Sequence, residues 1–302
     1  MNFAACAGQD PLGKVMPYLT LFKIRIAFLF VFTAESAYIM TVRDDASLVV
    51  AFFLALSTML ASMAGGALNH YLDLDIDGRM KRTHLRPLPT KMVRSPRLVL
   101  AAALILLALS MGISFFYLNF TVSFHLFGGV FFYIVVYTFW LKRRTWLNIV
   151  IGGAAGSFAV LAGGASATPE LCVPPVLMAV VLFLWTPSHF WSFAIYFKED
   201  YRRAGVPMLP LVVGDHKTAV YIFINTLLLV GSSLLPALLG YLGVIYLTAA
   251  VGAGLYFLHK NYQLLRDTSP AVAWINFKAS MLYLFVILSA VVLDTFLIPL
   301  PK

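Results

Sequence analysis

The sequence predicts an all-α polytopic membrane protein, a bundle of nine transmembrane helices around a central cavity. Three observations predict it. Of 302 residues, 61% are hydrophobic and only 12% charged, about half the charged fraction of a soluble domain. The apolar residues come in runs near the ~20 residues that carry a helix across a bilayer. Lastly, 20 of the 22 Lys and Arg residues fall in alternate connections, the bias that marks the cytoplasmic side.

Spans are expected at 20–41, 48–72, 98–117, 122–141, 147–166, 176–197, 219–240, 243–259 and 279–299, all in one domain covering 1–302. The first 19 residues hold one Lys and no Arg, unlike an Arg-rich transit peptide or a cleaved secretory signal. Span one carries Glu35, a lone acid within an apolar run. Spans two and five hold small residues, Ala61 to Ala67 and Gly152 to Ser157. Such residues permit close backbone packing where lipid supplies no hydrophobic drive between helices. Span six contains Pro187 and His189, and the last two spans are read mainly from hydropathy. With the N-terminus inside, the C-terminus lies outside, and only Arg43 and Lys302 fall on the outer face. This asymmetry accounts for the net charge of +9 and leaves no argument for a nucleic-acid partner. Cys6 and Cys172 fall on opposite sides, so neither a disulfide nor a thiolate metal site is expected.

The chemistry concentrates at the inner ends of spans two and six. Asn69, Asp73 and Asp77 stand four residues apart. On a helix that spacing forms one stripe roughly 12 Å long. Carboxylate and amide oxygens on one face suit Mg²⁺, which shares its coordination sphere with water and phosphate. Asp75 points about 160° away from the stripe. Arg79, Arg82 and Arg86 follow as bidentate phosphate donors, and His70 adjoins the stripe where it could face a substrate. In span six, His189 and Asp200 are 11 residues apart, roughly 16 Å along a continuous helix, with Tyr196 between them on the same face. A histidine inside a span is a functional candidate by default. Lys198 and Tyr201 flank Asp200 as further substrate-binding candidates. The remaining histidines, His84, His125, His216 and His259, read as loop or interface residues. The two inner loops, Arg82–Pro89 and Arg202–Pro210, share a basic-to-proline pattern four spans apart. A duplicated four-helix unit would face both acidic ends toward one cavity.

These stretches, with Trp185-Thr186-Pro187-Ser188-His189-Phe190-Trp191 and Ala204-Gly205-Val206-Pro207-Met208-Leu209-Pro210, resemble the intramembrane prenyltransferases of the UbiA type. Within that family, Asp75-Ile76-Asp77 followed by Met80 and Arg82-Thr83 resembles the heme-modifying branch. Members acting on quinone precursors tend to carry a second Asp-x-x-x-Asp element, which this chain lacks. The resemblance implies Mg²⁺-dependent transfer of a farnesyl group from farnesyl diphosphate to the 2-vinyl group of heme b. It implies Asn69, Asp73, Asp77 and Asp200 as metal ligands, and Arg79, Arg82, Arg86, Lys198, Tyr196, Tyr201, His189 and His70 around the substrates. His189 or His70 would position heme or ligate its iron. It also implies the bacterial cytoplasmic membrane, with heme A synthase or oxidase assembly factors as protein partners.

The chain departs from the family pattern at Lys23-Ile24-Arg25, at Thr90–Arg94 where a glycine turn is common, and at Glu35. Three other readings stay open at this point. One is the same fold with an aromatic quinone precursor as acceptor. The others are a secondary transporter and a non-catalytic heme-binding protein.

Overall fold

The computed structural model of the chain describes residues 17–93 and 95–298; Cys6, Lys14, Arg94 and Lys302 lie outside them. In chain order the helices are α1 (Ile24–Val42), α2 (Leu48–Leu72), short α3 (Leu74–Asp77), α4 (Pro96–Tyr117) and α5 (Phe120–Phe131). A π-helical stretch, Phe132–Leu141, continues α5. Short α6 (Asn148–Gly152) and α7 (Ala154–Ala167) make one span, followed by α8 (Val173–Tyr196). Short α9 (Lys198–Ala204) and α10 (Leu209–Val212) precede α11 (Asp215–Leu238), α12 (Val244–Arg266) and α13 (Pro270–Leu297).

Among the described residues, eight helical spans are long and apolar enough to cross a membrane. The ninth, α12, has the length, but His259, Lys260, Asn261, Gln263 and Arg266 make its last two turns polar. The helix starts follow local chemistry. Asn119 caps α5 by accepting the Val122 N–H at 2.9 Å, and Pro96 and Pro270 occupy first-turn positions where no N–H is needed. The Ser269-Pro270 start places the last helix earlier than the expected 279 and puts Lys278 on its exposed side. His125 is not an interface residue: it is buried in α5 against Phe158.

Successive long helices pack side by side, and α13 returns to α1 and closes the ring. One core fills the first half around Tyr38, Leu54 and Val122; a second fills the later half around Tyr246, Phe257 and Tyr283. A third, with Ile76, Met80, Trp191 and Tyr201, seals the end that carries the acidic motifs. Across the ring α1 packs against α7, a contact that requires Gly163, where an added Cβ would sit 2.0 Å from the Ala34 carbonyl oxygen. Gly163→Ala should therefore destabilise the bundle by about 1–3 kcal/mol. The readout is the thermal unfolding midpoint in detergent, and an unchanged midpoint would mean that α1 and α7 separate without cost.

Candidate active site

The four-residue spacing predicts one uninterrupted stripe, yet α2 ends at Leu72 and Asp73 (φ −91, ψ 6) leaves helical geometry. The stripe survives because backbone hydrogen bonds cross the break: Asp73 N–H reaches Asn69 O at 2.9 Å and Asp77 N–H reaches Asp73 O at 2.8 Å. Arg143 holds the break from outside. Its guanidinium donates to both Asp75 carboxylate oxygens at 2.7 and 2.8 Å and to the Leu72 carbonyl at 2.9 Å. That last bond satisfies one carbonyl orphaned at the helix end. Asp75 thus faces away from the stripe, as its angular position requires. Arg143 keeps its carboxyl below the ordinary range, so the clamp is intact at neutral pH and is lost only as pH falls through that depressed value. The pair is solvent-exposed and adds little stability; its effect is to fix the break. Arg143→Ala should raise the Mg²⁺ concentration needed for half-maximal rate about tenfold with kcat at saturating Mg²⁺ little changed. An unaltered Mg²⁺ requirement would remove this role.

Asn69, Asp73 and Asp77 are buried, at 4%, 1% and 3% exposure. Around them stands a set of cations that sequence reasoning only partly found. Lys142 Nζ lies 2.5 Å from Asp73 Oδ2, and Arg86 lies 2.6 Å from Asp77 Oδ2. Lys23 donates to Asn69 Oδ1 at 2.6 Å and to the Tyr133 hydroxyl at 2.9 Å. The Asn69 amide donates to Asp73 Oδ2 at 2.7 Å and to Thr138 Oγ1 at 3.2 Å. Lys23, Lys142, Tyr133 and Thr138 were not among the expected site residues. Both lysines read in the sequence as topology signals. Lys142 follows a π-helical stretch whose bond from Lys142 N–H to Tyr137 O at 2.8 Å adds a residue to the turn, so regular helical projection cannot place it. Such π segments recur at functional sites.

The other expected residues divide. Arg82 lies over the rings of Phe193 and Phe197, at 5.0 and 5.3 Å from their centres. Arg79 is exposed and makes no side-chain hydrogen bond or ion pair among the described residues. Lys198 turns to Asp215, 2.9 Å away, rather than to the stripe. Tyr196 packs, tilted by 30°, against the Trp274 ring. The helical alignment of His189 with Asp200 does not hold, because α8 ends at Tyr196 and Phe197 (φ −97, ψ 27) redirects the chain. Asp200 is brought instead under the loop after α3. Its two oxygens accept the backbone N–H groups of Lys81 and Arg82 at 3.1 and 2.9 Å, so the acidic ends of the two halves are joined through that loop. Tyr201 is buried within electrostatic reach of Arg82, Arg86, Asp73 and Asp200, and burial raises its phenol pKa and keeps it a neutral donor. His70 is buried among Lys23, Arg86 and Lys142, with Nδ1 unpartnered. Gly205 (φ 69) terminates α9, with Val206 N–H reaching back to Tyr201 O at 3.0 Å; only a glycine adopts this turn without strain.

Three cations face two carboxylates in this cluster, so it carries a surplus of positive charge. Burial pulls the Lys142 ammonium below its ordinary range, against the opposing pull of Asp73. The residues fit a hard divalent cation at one point in particular: Asp73 Oδ1 is buried and accepts no hydrogen bond among the described residues. An orphaned carboxylate oxygen beside an amide oxygen and a second carboxylate is an Mg²⁺-type donor set. The surrounding Lys and Arg donors suit phosphate oxygens. The arrangement can take a metal and a diphosphate together.

A buried cluster of carboxylates and cations inside a ring of spanning helices is the kind of site an intramembrane prenyltransferase uses, and residues 27–287 match the UbiA prenyltransferase family, to which the chain belongs. Among its relatives, it is 48% identical to protoheme IX farnesyltransferase 1 of Paramagnetospirillum magneticum, over 92% of this chain and 97% of that one. To the protoheme IX farnesyltransferase of Acidiphilium cryptum it is 40% identical, over 96% and 94%. Solved structures share the fold. A digeranylgeranylglyceryl phosphate synthase matches with a TM-score of 0.79 at 19% identity, covering 95% of this chain and 100% of that one. A UbiA homolog from Archaeoglobus fulgidus bound to DMAPP and Mg²⁺ matches with a TM-score of 0.67 at 19% identity, covering 91% and 99%.

Proposed function

We propose that the chain transfers a farnesyl group from farnesyl diphosphate to the 2-vinyl group of heme b, giving heme O and diphosphate. The observation that carries this reading is the buried, unpartnered Oδ1 of Asp73 among Lys23, Lys142 and Arg86, in a chain whose relatives at 40–48% identity are named for this reaction. Mg²⁺, when bound by Asn69, Asp73 and Asp77, neutralises charge on the leaving diphosphate. Asp200 contributes from the far side by holding the Lys81–Arg82 loop over the site, beside any share in the metal.

Lys142, Lys23 and Arg86 are placed to donate to the departing oxygens, where negative charge grows as the allylic C1–O bond breaks. The bonding electrons leave with diphosphate. The vinyl π electrons form the new C–C bond, and water captures the resulting cation with loss of a proton. Apolar walls keep water from the first cation until the acceptor is in place. Arg82 and Tyr201, neighbours of Asp200, are further contacts for the substrates. The protein works as a multi-pass enzyme of the bacterial cytoplasmic membrane with its N-terminus inside. Heme A synthase or an oxidase assembly factor would take up the product.

The test is incubation of purified protein with heme b, farnesyl diphosphate and Mg²⁺, followed by mass analysis. A heme carrying a hydroxyethylfarnesyl group supports the reading. Transfer to an aromatic acid but not to heme would assign a quinone-type acceptor instead. Absence of Mg²⁺-dependent diphosphate release would end the enzyme reading altogether.

A further inference from the structure

Asn69 can serve a divalent cation only through its amide oxygen, because the NH₂ side carries donors alone. Which way round the amide sits therefore decides whether it is a ligand. In the structure the oxygen faces Lys23, whose ammonium donates to Oδ1 at 2.6 Å. The nitrogen donates to Asp73 Oδ2 at 2.7 Å and to Thr138 Oγ1 at 3.2 Å. A flipped amide would set NH₂ against an ammonium and oxygen against a carboxylate.

Thr138, 1% exposed, enforces the same orientation. Its hydroxyl donates to the Tyr133 carbonyl at 2.8 Å. A carbonyl only accepts, so the single proton of Thr138 is committed there and Oγ1 has only lone pairs to offer Asn69. The π-helical stretch creates this arrangement. Thr33, Thr41 and Thr186 lie in regular helices, and each bonds the carbonyl four residues back; Thr138 bonds the one five back. Tyr133 closes the circuit from its other end, its own hydroxyl accepting from Lys23 at 2.9 Å. The room comes from α2, one turn before Asn69. A Cβ on Gly65 would lie 3.2 Å from the Tyr133 ring, and one on Gly66 would lie 3.3 Å from Lys23 Cβ.

The partners of the amide are not equivalent. Lys23 and Asp73 are groups that diphosphate and metal contest, so their bonds to Asn69 change when the site fills. Thr138 is neutral, buried and outside that exchange. We propose that Thr138, with its proton committed to Tyr133 by the π-turn, is a positioning residue that keeps the Asn69 oxygen turned to the metal while Lys23 moves to the diphosphate. This rests on Asn69 being a ligand in the reading above and is independent of the acceptor.

The test is Mn²⁺ binding to the full-length protein in detergent, read by electron paramagnetic resonance with a non-hydrolysable farnesyl diphosphate analogue present. Thr138→Val keeps the shape and removes the hydroxyl, and it should weaken Mn²⁺ binding about tenfold, as loss of an outer-shell partner does. Thr138→Ser keeps the hydroxyl and should bind as the wild type does. Asn69→Asp separates orientation from packing, since a carboxylate presents an oxygen whichever way it turns. On that background Thr138→Val should cause no further loss, so the two substitutions are coupled. Equal losses on both backgrounds would mean that Thr138 only packs, and they overturn the proposal. Should Thr138→Val fail to fold, Thr138→Ala carries the same comparison. Tight Mn²⁺ binding in the wild type with an unaltered Thr138→Val ends the positioning role alone. A wild-type protein that binds no Mn²⁺ beside the analogue overturns the metal reading itself, and this role with it.

Discussion

Asp73→Asn is expected to lower Mg²⁺-dependent farnesyl transfer by about 10²–10³-fold, the range for removing one preorganised electrostatic contact at a reacting centre. The substitution preserves size and the hydrogen bond from Asn69, so the packing around position 73 stays intact. What it removes is charge and the free oxygen. Oδ1 is the buried carboxylate oxygen of the cluster that none of the described residues satisfies, and a burial of this kind costs free energy unless a ligand compensates it. Without the carboxylate, Lys142 loses its anionic partner and the cluster becomes still more positive, which repels a divalent cation. The decisive measurement is therefore twofold: turnover, and Mn²⁺ binding by electron paramagnetic resonance in the presence of a non-hydrolysable farnesyl diphosphate analogue. Both should fall together. A variant with wild-type Mn²⁺ affinity would show that the metal is held elsewhere, and Asp200 would then be the next residue to change.

The sequence revealed the acidic stripe because its spacing is enforced by backbone hydrogen bonds that persist through the helix break at Asp73. Membrane spans were equally legible, since hydropathy records the lipid environment directly. Three features were not. Lys142 was hidden by the π-helical stretch, which shifts every following residue relative to an α-helical projection. Lys198 resembles a site residue because hydropathy predicts helix through Phe197, where the chain in fact turns and delivers the ammonium to Asp215. The bond network of Asp200 depends on a loop 118 and 119 residues earlier in the chain, and no local pattern encodes that distance. Lys23 had a signal, its place in the Lys-Ile-Arg start of span one, but topology alone explained a basic residue there. Tertiary contacts rather than propensity decide these cases, and they cluster where the chain departs from regular geometry.

Lys142→Met separates the metal from the diphosphate in a way that removing an acid cannot. In the wild-type cluster the lysine ammonium sits 2.5 Å from Asp73 with 10% of its side chain exposed, and it competes with a metal for the same carboxylate. Removing it leaves a buried acid without its closest cation, a change that costs about 3–5 kcal/mol for a broken buried pair. The methionine keeps the apolar stem and volume, so the loss is electrostatic and not a cavity. Mg²⁺ can then occupy the vacated position at less electrostatic cost. Added Mg²⁺ should raise the thermal midpoint of Lys142→Met more than that of the wild type, by mass action on the folded state. Catalysis should move in the opposite direction and fall about 100-fold, because a donor to the departing diphosphate is gone. Better metal binding with worse turnover is the signature of a residue whose partner exchanges during the reaction, from carboxylate in the resting site to phosphate in the transition state. Equal Mg²⁺-induced shifts in the two proteins would mean instead that Lys142 and the metal never share Asp73.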